Sequence, residues 1–166
     1  MLRRQMLGAG AALAAMPLLV SRAVAQQAAA TAIPEEKQPM LAVGSYSRLT
    51  SELALERAQN EQVRTFAELE VAEQLAVAEA FGAAGEPPIL TEAQNAMLEQ
   101  LRAADEASFD MAYLDGQIMG HEEGLPIAQD YAANGEDPTA RGAATVLVPA
   151  IETHLVMLRG IRAAMG

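Results

Sequence analysis

The chain has 166 residues, with 22 acidic against 11 basic side chains, a formal charge of −11, and no cysteine. These counts exclude a disulfide framework, a thiolate metal site and a cysteine nucleophile, and so acidic a chain disfavours nucleic acid and anionic lipid as partners. Alanine, leucine, glutamate and glutamine abound while aromatic residues make up 4%, and strong helix formers with few β-branched runs point to an all-α fold.

Residues Met1 to Ala25 read as a cleaved export signal, with Arg3 and Arg4, an apolar run from Met6 to Val20, and Ala23-Val24-Ala25 as a small-x-small cleavage site. Arg3-Arg4-Gln5-Met6-Leu7 fits the twin-arginine pattern, and a modest Ala/Gly-rich run with Arg22 near the cut suits that route better than general secretion. The run is short of the ~20 apolar residues that span a bilayer, so it is read as removed, with no membrane association afterwards and no other segment able to span. The leader carries no cysteine for a lipid anchor, and the expected destination is a bacterial periplasm. Cleavage leaves 141 residues holding all 22 acids and 8 basic residues, a charge of −14. That length suits one domain, burying roughly 70% of its unfolded surface.

Residues 26–38 are Ala/Gln-rich with Pro34 and show no apolar period, which predicts a flexible tether before a helical domain over 39–166. A first helix is expected from Pro39 to Gln59, and Asn60 is placed to cap a second from Glu61 to Phe81, ended by Gly82, Gly85 and Pro87-Pro88. Thr91 with Gln94 forms a capping box opening a shorter helix to Ala103. A fourth runs from Ser108 to Ala133 until Asn134-Gly135, and Asp137-Pro138 starts a last helix reaching Ala164. Pro126 and Pro149 fall inside helical patterns and are expected to kink them. Four long helices with short connections argue for an antiparallel bundle, the short helix being an addition at one end.

Helical periodicity turns several polar residues inward. Glu70 and Gln74 interrupt the apolar stripe of Val63, Phe66, Ala67, Val77 and Phe81, and Asp110, Gln117 and His121 lie on the face of Tyr113, Leu114 and Ala128. His154 sits among Leu147, Ile151, Leu158 and Ile161, and Glu56 lies beside Leu49 and Leu53. Carboxylates and imidazoles converging inside a bundle are how helical proteins build metal sites, which makes Glu56, Glu70, His121 and His154 the candidate ligands of a transition metal ion. The same groups can instead satisfy one another as a non-catalytic polar network. The first reading is that network, in a periplasmic protein whose partner is another envelope protein; the alternative is a metal-binding or redox protein. A third, a hydrolase pairing Asp110 with His121, lacks a positioned nucleophile.

Other motifs are thin. Residues three before the histidines are Ile118 and Ile151, so the Glu-x-x-His spacing of di-iron bundles is absent. His121-Glu122-Glu123 lacks the second histidine of a zinc-protease helix. His154 and Met157 share a face, a pairing that suits copper but more often is core filling. Oligomeric state is not legible.

Leu53-Ala54-Leu55-Glu56-Arg57-Ala58, Asn60-x-x-Val63-Arg64-x-Phe66-Ala67, Phe109-Asp110-x-x-Tyr113-Leu114 with His121, and Pro149 with His154-Leu155 together resemble a bacterial exported family of unknown function, often labelled an outer membrane protein. The resemblance covers nearly all of the mature part and implies a ferritin-like fold without an established reaction. A branch of that family has Asp-His where this chain has Glu73-Gln74, so one histidine that the resemblance implies on the second helix is missing. An all-helical chain cannot be an integral outer-membrane barrel.

Overall fold

Residues 32–166 are described by the computed structural model; the expected export signal and the first part of the expected tether lie outside the described residues. Residues Ile33–Gly166 form one compact unit. Among the described residues every element is helical: a 3-10 turn at Glu35–Lys37, then α1 (Gln38–Arg57), α2 (Glu61–Ala80), α3 (Glu92–Ala103), α4 (Glu106–Asn134) and α5 (Pro138–Met165).

The starts are set by side-chain caps that relieve the unpaired N–H groups of a first turn. Asn60 accepts from the backbone of Gln62 and Val63, Thr91 and Gln94 complete the reciprocal capping box, and Asp137 accepts from Thr139 and Ala140 ahead of Pro138. Asp105 caps α4 through Ser108 N–H, which sets the start of α4 two residues before the expected Ser108. Gly82 and Gly85 both adopt positive φ in the connection after α2, a conformation that glycine takes without strain. Pro126 and Pro149 lie inside α4 and α5, which continue past them as single helices.

The last residues of the expected tether are docked on the helices. Ile33 packs on the apolar core, and Lys37 is buried, its Nζ donating to Phe81 O at 3.1 Å and to Asp137 Oδ2 at 2.6 Å. A lone lysine gives no periodic signal, so its docking was invisible to pattern reading.

Contacts at the two ends give the helix directions. Lys37 joins the start of α1 to the end of α2 and the start of α5, and Phe81 stacks on Tyr131 near the end of α4. At the other end Arg57 donates to the carbonyls of Leu101, Arg102 and Ala104, and Asp110 at the start of α4 meets the α1–α2 turn. α1 and α5 therefore run one way while α2 and α4 run the other; α1 packs on α2 and α4, and α5 packs on α4 and α2.

α1 and α4 approach along glycine. A Cβ on Gly116 would meet Tyr46 Oη at 2.8 Å, and one on Gly124 would meet Val43 Cγ1 at 2.9 Å. The core forms two apolar blocks, one around Met40, Phe81, Tyr131, Ala144 and Leu147, the other around Val63, Phe66, Phe109, Leu114 and Leu158. Between them lies a belt of buried polar side chains: Ser47, Thr50 and Ser51 from α1, Glu70 and Gln74 from α2, and Gln117 and His121 from α4. The sequence suggested no spanning segment beyond the leader, yet α5 is by length and composition apolar enough to cross a membrane. Its face bearing Ala140, Ala144, Leu147, Ile151, Leu155 and Leu158 is buried against the other helices.

Candidate metal centre

Three of the four candidate ligands meet. Glu70 Oε2 lies 3.6 Å from His121 Nε2 and 3.3 Å from His154 Nδ1, and the two ring nitrogens are 3.2 Å apart. This is a nearly equilateral triangle contributed by three helices. The Glu70 side chain is 0% exposed, His121 is buried, and His154 is 14% exposed at the rim.

The outer atoms are held in place. Glu70 Oε1 accepts from Gln74 Nε2 at 2.9 Å and lies 2.5 Å from Ser47 Oγ, which also faces Gln117 Oε1 at 2.7 Å and shares one proton between them. The Gln117 amide is oriented by donating to Ser47 O, Thr50 Oγ1 and Ser51 Oγ. His121 Nδ1 is 2.8 Å from Gln117 O; a carbonyl only accepts, so the proton sits on Nδ1 and, in the neutral ring, the Nε2 lone pair faces the triangle. On the far side of His154, Nε2 points toward Glu73 Oε2 at 3.7 Å. Phe66 packs edge-on to His154 at 5.3 Å between centroids and tilted on His121 at 6.1 Å.

The electrostatics follow from burial and pairing. Burial pushes the Glu70 carboxyl up, but hydrogen bonds to His121 and His154, the charge of His121 and the Ser47 hydroxyl outweigh it, so it is held well below the usual carboxylate range. Burial pulls His154 down, and the hydrogen bond and charge of Glu70, then the charge of Glu73, reverse this to a net rise. Glu73 is raised, by burial first, with His154 opposing. Beyond the two imidazoles Glu70 Oε2 has no hydrogen-bond donor among the described residues, and Glu73 Oε1 is buried without one.

Glu56 does not join. It is exposed near the end of α1, because the inward face of that helix is Gly44, Ser47, Thr50, Ser51 and Ala54, while Leu49 and Leu53 sit on its flank. Met157 is also exposed, which removes it from a copper pair with His154. Asp110 is occupied elsewhere: its carboxylate accepts the backbone N–H of Asn60 at 2.7 Å and of Gln59 at 3.1 Å, closing the α1–α2 turn instead of pairing with His121. Glu73 was missed as a partner, although its i, i+3 spacing from Glu70 on α2 was available in the sequence.

The donor set is two imidazoles and one carboxylate. Two ligands on a tetrahedral ion at about 2.0–2.1 Å stand roughly 3.3–3.4 Å apart, and the separations of 3.2, 3.3 and 3.6 Å bracket that value. Neither a curated protein nor a solved structure matches the chain. Residues 21–161 match a family described only as a domain of unknown function, and the chain belongs to that family, DUF4142.

Proposed function

We propose that this is an exported periplasmic protein, a four-helix bundle of ferritin-like layout, whose Glu70–His121–His154 centre binds a divalent first-row transition metal ion. The observation that carries the reading is the triangle itself. Glu70 Oε2, His121 Nε2 and His154 Nδ1 face one another within 3.6 Å in a buried site, and such an array is satisfied by a proton on His154 Nδ1 or by a metal ion at its middle. The outer nitrogens favour a metal. His121 gives its other N–H to a backbone carbonyl and His154 turns its own toward a carboxylate, which is how metal-binding histidines are oriented and made more basic. With nitrogen and oxygen donors and no sulfur, zinc suits the set best among common divalent ions. Export is supported by the leader, and the bundle layout by the cyclic packing of α1, α2, α5 and α4.

A second reading is a proton-sharing structural network without a metal, favoured by the donors that Ser47 and Gln74 already supply to Glu70 Oε1. Elemental analysis of mature protein purified from the periplasm, beside a His121→Gln/His154→Gln variant, separates the two. Near-stoichiometric metal in the parent and none in the variant supports the metal centre. Metal-free parent that also fails to take up added Zn2+ leaves the network.

A further inference from the structure

The three ligand atoms are not enclosed equally on both sides. One helical turn away in one direction lie Phe66 on α2, four residues before Glu70, and Gln117 on α4, four before His121, and the Phe66 ring covers both imidazoles. One turn away in the other direction lie Gln74, Gly124 and Ile151, which border a cavity of about 10 Å³ that Ser47, Glu70 and His121 also line. A space of that size holds about one water.

Gln74 borders this cavity and carries an unsatisfied acceptor. It is buried, and its Nε2 donates to Glu70 Oε1 at 2.9 Å. A carboxylate oxygen only accepts in its ionised form, so the amide cannot turn over without losing that bond and placing two acceptors together. The orientation leaves Gln74 Oε1 as a fixed acceptor, buried and with no donor among the described residues. Room for this oxygen comes from Gly44, where a Cβ would stand 2.6 Å from it. Gln74 also lines a second cavity of about 40 Å³ beneath the α2–α3 connection, bordered by Gly44, Ser45, Arg48 and Glu86. It is therefore a wall shared between the cluster and a mostly apolar recess that Ser45, Arg48 and Glu86 edge.

Resting on the metal reading above, we infer that the ion keeps a fourth coordination position facing Gln74, and that this position takes a small ligand that donates a hydrogen bond, water in the first instance. Three protein ligands with one solvent position are the pattern of a reactive ion, where a purely structural ion has four protein ligands. The ligand class follows from the wall. Water presents a proton to Gln74 Oε1, whereas a halide presents only charge to an acceptor oxygen.

The test loads the full mature chain with Co2+, a divalent ion that accepts tetrahedral geometry, and records its low-temperature electron paramagnetic resonance in ordinary and 17O-enriched water. Stoichiometric uptake with lines broadened by 17O is the expected result, and in Gln74→Leu, which leaves all three ligands in place, the broadening is expected to be lost or at least halved. Co2+ uptake without broadening overturns the open position while leaving the metal centre standing. Broadening unchanged in Gln74→Leu overturns the assignment of that position to the Gln74 side. No Co2+ uptake by the parent overturns the metal reading itself, a result distinct from the other two.

Discussion

Lys37 and Asp137, a hundred positions apart in the chain, meet at 2.6 Å and tie the segment before α1 to the cap of α5. The pairing holds the Asp137 carboxyl below its ordinary value of 3.8, with Lys37 the largest cause and the Thr139 and Ala140 N–H groups next. A carboxyl depressed in the folded state contributes stability above its unfolded pKa, and that contribution fades as pH falls through the folded value. Lys37→Met is therefore expected to melt below the parent at neutral pH, with the gap narrowing as pH drops beneath 3.8. Parallel thermal melts of the two proteins across that range check this; a gap independent of pH would show that the Asp137 charge is not involved.

If Glu70, His121 and His154 hold an ion, folding and metal binding are linked. Zn2+ at 100 times its Kd is expected to stabilise the parent by about 2.7 kcal/mol, a gain absent from His121→Gln/His154→Gln and reversed by a chelator. The affinity is expected to weaken in acid, because protons compete for the same lone pairs. Glu73 touches only the outer nitrogen of His154, so Glu73→Gln is expected to weaken binding by about 10–100-fold and not abolish it. Calorimetric titration of the parent and both variants distinguishes a ligand from the group that orients it.

The glycines of α4 and α5 are predicted to respond oppositely to the same substitution. At Gly142 and Gly160 an added Cβ would have nothing within 4 Å, so alanine there should stabilise by about 0.5–1 kcal/mol through helix propensity. At Gly124 the new Cβ would press on Val43, a stiff β-branched side chain, and overpacking of about 1–3 kcal/mol is expected to exceed that gain. Urea midpoints of Gly160→Ala and Gly124→Ala should move to opposite sides of the parent.

Asp110→Ala is expected to destabilise by about 1–3 kcal/mol, because the Gln59 and Asn60 N–H groups lose their acceptor in a partly buried turn. Metal uptake by the folded variant should match the parent. A variant of parental stability that failed to take up metal would mean that Asp110 acts on the centre after all.

The sequence carried the helices and most of the site for definable reasons. Asn60, Thr91 with Gln94, and Asp137 with Pro138 are local signals, each readable within four residues, and each caps the helix it was expected to cap. Glu70, Gln74, Gln117 and His121 stood out because their neighbours are large apolar residues, so a polar interruption marks the buried face. α1 misled for the converse reason. Its inward residues are glycine, serine, threonine and alanine, leaving Leu49 and Leu53 on the flank to suggest a stripe that drew Glu56 in with them. Gly116, Gly120 and Gly124 spaced by four are the matching surface on α4, a small-residue row that hydrophobic periodicity passes over. Which of the inward polar groups share one level depends on how the helices are aligned, and no single-helix pattern encodes that.

The polar belt between the two apolar blocks has a consequence for that alignment. Apolar side chains of similar size are tolerant of sliding, and a helix displaced by one turn, about 5.4 Å, could still find oily surface to cover. Glu70 could not. Moved one turn along α2 it would leave Ser47, His121 and His154 behind and face hydrocarbon as a bare charge. The same contacts that create a site thus act as a key in a keyway, rejecting shifted packings of the bundle and selecting one.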